Sequence, residues 1–232
     1  MKLLYHLPNA LTLTNLTFGT LAIMALINDQ IPMSLMLVGG CLVADLLDGA
    51  VARKLGVGSG LGIQLDSLAD VISFGALPAV MIYVASDKYG HGDPGQGLIA
   101  VFAALSAASA GLRLARFNID TRPREYFWGL ATPAGGIMVT GWFWAQYAGR
   151  DYGLGMADSP WLGIIIPVFL IIAFQIPLRL PGMKSPKPGI ITAILLIVMG
   201  LIGFLTLGPI SIPLTIVAYV GLGLLNLVLK WY

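Results

Sequence analysis

The chain has 232 residues, of which 57% are hydrophobic and 10% are charged, and its mean hydropathy is +0.87. This mean hydropathy is higher than a soluble protein needs to form its core, and it indicates an integral membrane protein. The formal net charge of +2, without basic runs interleaved with aromatic residues, argues against nucleic-acid binding. Cys41 is the only cysteine, so an internal disulfide is excluded.

Apolar runs near the ~20 residues that a helix needs to cross a bilayer predict the architecture. About eight runs fit, and a tight αα-hairpin is required between the last two. They cover residues 10–28, 32–53, 63–86, 97–117, 130–148, 160–179, 188–207 and 210–230. We therefore expect an all-α fold, a polytopic transmembrane helical bundle, in one membrane domain over residues 1–232. The N-terminal stretch lacks a small-residue cleavage site, which favours a retained first span.

Lysine and arginine residues divide unequally between the two sides of this bundle. If the N-terminus is cytoplasmic, only Lys88 and Arg150 lie on the opposite side. The others fall on the cytoplasmic side: Lys2, Arg53, Lys54, Arg113, Arg116, Arg122, Arg124, Arg179, Lys184, Lys187 and Lys230. The positive-inside rule therefore predicts two cytoplasmic termini and an integral protein of the cytoplasmic membrane.

Four aspartates stand within two of these apolar segments. In a helix, Asp45 and Asp48 are three positions apart and Asp66 and Asp70 are four apart, so each pair projects from one face. At about 1.5 Å of rise per residue, Asp45 lies roughly 12 Å below Arg53, and Asp70 lies roughly 12 Å beyond Gly62 on the returning helix. The four carboxyl groups are therefore expected at similar depth, where they can face each other.

Such carboxylates need a compensating charge, because each costs at least ~2.5 kcal/mol near the bilayer centre on insertion scales. A single aspartate could instead be protonated and hydrogen-bonded in a polar core, but four at helical spacing favour a bound cation. One arginine cannot neutralise four carboxylates, and hard oxygen ligands suit Mg²⁺ or Mn²⁺. The pattern predicts a divalent-metal site that faces the cytoplasm, with two ions expected.

The stretch 45–70 resembles the signature of the CDP-alcohol phosphotransferases, D-x2-D-G-x2-A-R-x8-G-x3-D-x3-D. All eight fixed positions match: Asp45, Asp48, Gly49, Ala52, Arg53, Gly62, Asp66 and Asp70. The resemblance implies that an alcohol attacks the lipid-bearing phosphorus of a CDP-linked lipid and that CMP departs. It also implies a homodimer.

The resemblance assigns roles to the signature residues. It implies that Asp45, Asp48 and Asp66 hold the metal on the diphosphate, and that Asp70 is the general base and touches a second metal. Small residues would shape the cytidine pocket while Arg53 steadies the phosphates. The small residues are Gly49, Ala52 and Gly62. In the first span, Thr12 and Asn15 would hydrogen-bond the nucleotide, or would otherwise be polar residues satisfied between helices.

Three further stretches are similar to the phosphatidylserine synthase branch of that family: residues 67–79, 111–118 and 129–136, the last with Ala131 in place of a proline. This similarity implies CDP-diacylglycerol and L-serine as substrates. The serine carboxylate would suit Arg113 and Arg116, with Asn118 beyond them, although membrane anchoring also explains both arginines.

Two alternatives stay open at this point. A synthase for phosphatidylglycerol phosphate or an inositol phosphate lipid would use the same chemistry, because its acceptor phosphate suits the two arginines equally well. A cation-coupled transporter would also need intramembrane acids, although no inverted repeat is found in the sequence.

Overall fold

The protein is built almost entirely of helices. Our computed structural model describes residues 6–57, 59–89, 95–120, 127–149, 161–180 and 187–229. The helices are α1 (Leu7–Ile27), α2 (Ile31–Leu55), α3 (Gly60–Asp70), α4 (Leu77–Tyr89), α5 (Gln96–Ile119), α6 (Thr132–Tyr147), α7 (Leu162–Gln175), α8 (Lys187–Leu207) and α9 (Ser211–Leu229). A π-helical segment, Val71–Ala76, links α3 to α4, and a 3₁₀ turn, Gly208–Ile210, links α8 to α9. The strands are β1 (Phe127–Trp128) and β2 (Arg179–Leu180).

Each predicted span coincides with a helical segment, which confirms an all-α polytopic architecture. Five stretches are long and apolar enough to cross a membrane: Leu7–Ile27, Ile31–Leu55, Gly60–Asp87, Gln96–Ile119 and Ile190–Asn226. Helices α6 and α7, with 16 and 14 residues, are shorter than the ~20 residues of a full crossing. The count of eight crossings and the sidedness of the termini therefore stay predictions. Among the basic residues behind the orientation, Lys2, Arg122, Arg124, Arg150, Lys184 and Lys230 lie outside the described residues.

The longest apolar stretch, Ile190–Asn226, is two helices folded back on each other. Gly208 has a φ of 71°, a left-handed conformation that suits glycine, and it starts the turn between α8 and α9. A Cβ added to Gly203 would lie 3.0 Å from Cβ of Ser211, and one added to Gly200 would lie 3.4 Å from Thr215. This register is antiparallel, so the expected αα-hairpin is present.

Helices α2 and α3 form a second hairpin, which carries the aspartates. Helix α2 ends at Leu55 and is capped by Gly56, whose φ of 65° suits glycine. Helix α3 begins after Ser59, whose Oγ accepts a hydrogen bond from the Gly62 amide at 2.9 Å. Helix α1 packs against both. On the α2 side the approach is close, because a Cβ on Gly40 would lie 2.6 Å from Cδ2 of Phe18. Polar residues of α1 are thereby held beside those of α2 and α3.

The π-helical segment begins immediately after Asp70. Small residues on the neighbouring helices let them pack closely against this segment. Gly19 of α1 faces Ser73, and a Cβ on Gly136 of α6 would lie 3.0 Å from Phe74. A π-helical turn widens the helix and is frequent at functional sites. It therefore lies where the helix carrying Asp70 meets both α1 and α6.

A short strand pair fixes the start of α6. Strand β1 pairs antiparallel with β2, and the amide of Gly129 donates to the Leu178 carbonyl at 2.9 Å. Gly129 has a φ of 70°, and an added Cβ would lie 3.0 Å from the Ile176 carbonyl oxygen. The amide of Leu130 donates to the Ala173 carbonyl at 3.0 Å. The segment that enters α6 is thus tied to the end of α7.

Candidate active site

Three of the four aspartates come together between α2 and α3. Asp45, Asp48 and Asp66 each offer a carboxylate oxygen, and these oxygens lie within 4.8 Å of one another. Asp48 is buried, and its Oδ2 accepts a hydrogen bond from Thr12 Oγ1 of α1 at 2.6 Å. The same hydroxyl lies 3.0 Å from the Pro8 carbonyl oxygen, so its single proton serves two acceptors. We refer to these three carboxylates as the aspartate cluster.

Asp70 lies one helical turn beyond Asp66 at the end of α3. It is only 6% exposed, and the carboxyl groups of Asp45, Asp48 and Asp66 are its acidic neighbours. Among the described residues, its Oδ1 has no hydrogen-bond partner. Arg113 of α5 is the basic neighbour of this carboxyl group. Asp70 therefore stands between the cluster on one side and a guanidinium on the other.

The aspartate cluster fits a divalent cation. Like charges repel one another in the aspartate cluster, because Asp48 and Asp66 both act on Asp45 and Asp48 acts on Asp66. Carboxylates this close and partly buried are strongly unfavourable without a positive partner. Several carboxylate oxygens without a nitrogen or sulfur donor form the ligand set that Mg²⁺ and Mn²⁺ prefer.

A cavity of about 920 Å³ opens directly onto the aspartate cluster. Its walls are the N-terminal turns of α1, the C-terminal half of α2 and the first two turns of α3. The lining residues are His6, Pro8, Asn9, Thr12, Asp45, Leu46, Asp48, Gly49, Ala52, Arg53, Gly56, Val57, Ser59, Leu61, Gly62, Ile63 and Asp66. Of the residues predicted for the nucleotide and diphosphate, all but Asn15 line this cavity. Its volume lies in the range of small-molecule sites.

Two glycines of the signature leave space for polar side chains. A Cβ on Gly49 would lie 3.2 Å from Nη1 of Arg53, so the guanidinium folds back over α2 beside the cavity. A Cβ on Gly62 would lie 3.1 Å from Oδ1 of Asn9 and 3.2 Å from Oγ of Ser59. Asn9 and Ser59 are not among the site residues expected from the sequence. The signal that points to Asn9 is its position three residues before Thr12, on the same helical face.

Asn15 is placed differently from its prediction as a nucleotide ligand. It is 0% exposed and does not line the cavity. Its carbonyl oxygen accepts hydrogen bonds from Ser73 Oγ at 3.1 Å and Cys41 Sγ at 3.6 Å. Its side-chain Oδ1 and Nδ2 have no partner among the described residues. It lies inside the packing of α1, α2 and the π-helical segment rather than on the cavity wall.

The three residues predicted for serine reach three different elements, and none lines the cavity. Nη1 of Arg113 donates to Thr132 Oγ1 of α6 at 3.0 Å. Arg116 is exposed and donates to Gln175 Oε1 of α7 at 2.6 Å, whereas Asn118 donates to Ser67 Oγ of α3 at 2.8 Å. Of the three, Arg113 is the neighbour of Asp70.

Comparison with known proteins shows which family this chain resembles. Residues 5–221 match the family profile described as CDP-alcohol phosphatidyltransferase. The chain is 30% identical over 231 residues to a CDP-diacylglycerol–serine O-phosphatidyltransferase of Helicobacter pylori, covering 98% of this chain and 92% of that protein. It is 31% identical over 191 residues to a Mycobacterium leprae protein of the same name, covering 78% of this chain and 61% of that one. It is 30% identical over 181 residues to the archaetidylserine synthase of Methanothermobacter thermautotrophicus, covering 77% and 72%.

The family match spans nearly the whole chain and includes every signature position, the helix that supplies Thr12 and the helices that supply Arg113 and Thr132. A transporter that uses the same acids is not supported by this match. The chain belongs to the CDP-alcohol phosphatidyltransferase family.

Proposed function

We propose that this enzyme is a phosphatidylserine synthase, which transfers the phosphatidyl group of CDP-diacylglycerol to the hydroxyl of L-serine and releases CMP. The observation that carries the proposal is the aspartate cluster at the floor of a nucleotide-sized cavity, with Asp70 and Arg113 behind it. Relatives that share most of the chain and bear the name of this activity support the same acceptor.

Different residues of the signature bind the metal ions and the nucleotide. Asp45, Asp48, Asp66 and Asp70 hold Mg²⁺ or Mn²⁺, and four carboxylates provide for two ions. When bound, these ions neutralise the diphosphate and stabilise charge on the oxygen of departing CMP. The cytidine and ribose occupy the cavity against Thr12, with the diphosphate toward the cluster. The small residues Gly49, Ala52 and Gly62 form its walls.

Arg53 contacts the diphosphate from the cavity rim. Its guanidinium already lies beside Gly49, and its planar fork suits two phosphate oxygens at once. It holds the nucleotide end while the lipid end of the donor extends toward the bilayer.

Asp70 acts as the general base. It accepts the proton of the serine hydroxyl while the serine oxygen forms a bond to the phosphatidyl phosphorus and the bond from that phosphorus to the CMP oxygen breaks. Its burial and its position one helical turn beyond Asp66, outside the lining of the cavity, suit a base that meets the acceptor rather than the nucleotide.

The acceptor is held from the Arg113 side. A guanidinium beside Asp70 can bind the serine carboxylate and leave the hydroxyl near the base. Arg116 and Asn118 lie further along α5 and contribute at the entrance to this subsite. We further propose that the site faces the cytoplasm in the cytoplasmic membrane, that CDP-diacylglycerol enters sideways from the cytoplasmic leaflet, and that the enzyme is a homodimer.

CMP release from purified enzyme tests the proposal. With CDP-diacylglycerol and Mn²⁺, addition of L-serine should release CMP and form phosphatidylserine. Glycerol 3-phosphate and inositol phosphate should not replace serine, and release with one of them but not with serine would refute the acceptor while leaving the chemistry intact. A parallel reaction with a CDP-linked archaeal ether lipid measures the preference for the lipid tails.

A further inference from the structure

The environment of Arg113 differs from that of Arg116, three residues along the same helix. Thr132, whose Oγ1 holds Nη1 of Arg113 at 3.0 Å, is 0% exposed and is the first residue of α6. The segment before it is fixed by Gly129, whose amide donates to the Leu178 carbonyl, and by Leu130, whose amide donates to the Ala173 carbonyl of α7. Thr132 Oγ1, which accepts the hydrogen bond from Arg113, is therefore held by a fixed segment of the backbone.

The guanidinium of Arg113 is only partly used by the protein. Its Nε is buried and has no hydrogen-bond partner among the described residues. Asp70 and Tyr219 of α9 are its electrostatic neighbours. The anchored Nη1 and the buried, unpartnered Nε leave one edge of the Arg113 guanidinium available to a ligand.

Arg116 has the opposite environment. It is exposed, and the Gln175 side chain that accepts its hydrogen bond also donates to the carbonyl and the Oγ of Ser109, at 2.9 and 2.8 Å. This arrangement ties α5 to α7 at the edge of the bundle. The Gln175 contact holds Arg116 at the edge of the bundle, whereas Arg113 lies beside the proposed base.

We infer that Thr132 is a positioning residue for the acceptor subsite: it fixes the Arg113 guanidinium so that the serine carboxylate is bound with its hydroxyl toward Asp70. The inference rests on the proposed function and adds to it a specificity role for the first turn of α6. Loss of the Thr132 hydroxyl should let the guanidinium move toward Asp70 and close the subsite. The affinity for serine should fall, whereas the affinity for CDP-diacylglycerol, whose nucleotide occupies the cavity, should not change.

The test is Thr132→Val, which keeps the shape of the side chain and removes the acceptor oxygen. We expect the KM for serine to rise about tenfold, the loss of one hydrogen bond to a charged group. The KM for CDP-diacylglycerol and kcat at saturating serine should stay within about twofold of the wild-type values. Thr132→Ser, which restores the oxygen, should return the KM for serine to near the wild-type value.

Thr140→Val is the matched control on the same helix, because the Thr140 hydroxyl donates to the carbonyl of Gly136 one turn back. A serine KM in Thr132→Val no higher than in Thr140→Val would overturn the inference, as would equal losses for both substrates. If Thr132→Val does not accumulate in the membrane, Thr132→Ala serves the same comparison. Wild-type enzyme that releases no CMP with serine would refute the proposed function itself, a result distinct from an unaltered KM in a serine-active preparation.

Discussion

The two helical hairpins of this protein differ in what lies between their helices. In α8–α9, glycines at 200 and 203 let the helices approach closely, and no charged residue occurs from 188 to 229. In α2–α3, helix α1 packs against both arms, a cavity opens between them, and four aspartates face inward. Close packing without charge stabilises the first hairpin. The second retains an unfavourable charge cluster, and this difference marks it as the functional one.

The largest effect is expected from Asp70→Asn, which removes the proposed base and keeps the shape of the side chain. CMP release should fall by about 10²- to 10⁴-fold, the usual contribution of a general base, while nucleotide binding is retained. Steady-state kinetics and binding of labelled CDP-diacylglycerol measure the two effects. Asp87→Asn on α4 is the matched control, since Asp87 is exposed and accepts a hydrogen bond from Gln96. Full turnover by Asp70→Asn would remove the role we give it.

Asp48→Asn should act on metal affinity and on stability in opposite senses. The Mn²⁺ concentration for half-maximal activity should rise by at least about tenfold, because a charged ligand becomes neutral. In metal-free protein, the same change relieves repulsion inside the aspartate cluster, so the unfolding temperature should increase. Metal titration of activity and thermal unfolding in chelator give both values. A variant that is less stable without metal would contradict the cluster as a site of unbalanced charge.

A smaller effect is expected from Thr12→Val, which removes the hydroxyl that donates to Asp48 at 2.6 Å. Outer-shell partners of this kind typically change metal affinity by about 10- to 100-fold, and we expect the lower end because the hydroxyl proton is shared. Thr20→Val is the control on the same helix, since the Thr20 hydroxyl bonds to the Leu16 carbonyl. Equal metal dependence in the two variants would show that Thr12 does not orient Asp48.

The helices, and the meeting of aspartates from two of them, could be predicted from the sequence because both follow from local spacing. Asp45 and Asp48 share a face by helix geometry, and a short turn returns the chain to bring Asp66 to the same depth. The contacts of Arg113 could not be predicted, because Thr132 joins it through tertiary packing between α5 and α6. The burial of Asn15 depends likewise on the π-helical segment, which no hydropathy pattern indicates.

The smallest effect on chemistry is expected from the α8–α9 hairpin. Gly203→Val forces a side chain against Ser211 and should lower the free energy of unfolding by about 1–3 kcal/mol, the usual cost of overpacking. Gly221→Val controls for helix propensity, because an added Cβ there meets no atom within 4 Å. Per folded molecule, kcat and both KM values should be unchanged. A selective loss of serine affinity in Gly203→Val would extend the active site into this hairpin.

Anomalous diffraction from crystals grown with Mn²⁺ tests most directly whether two helices share the same bound cations. We predict at least one manganese peak within ligand distance of a carboxylate of Asp45 or Asp48 on α2 and of the carboxylate of Asp66 on α3. Active enzyme with no peak there, or with manganese held by the carboxylates of one helix alone, would contradict it.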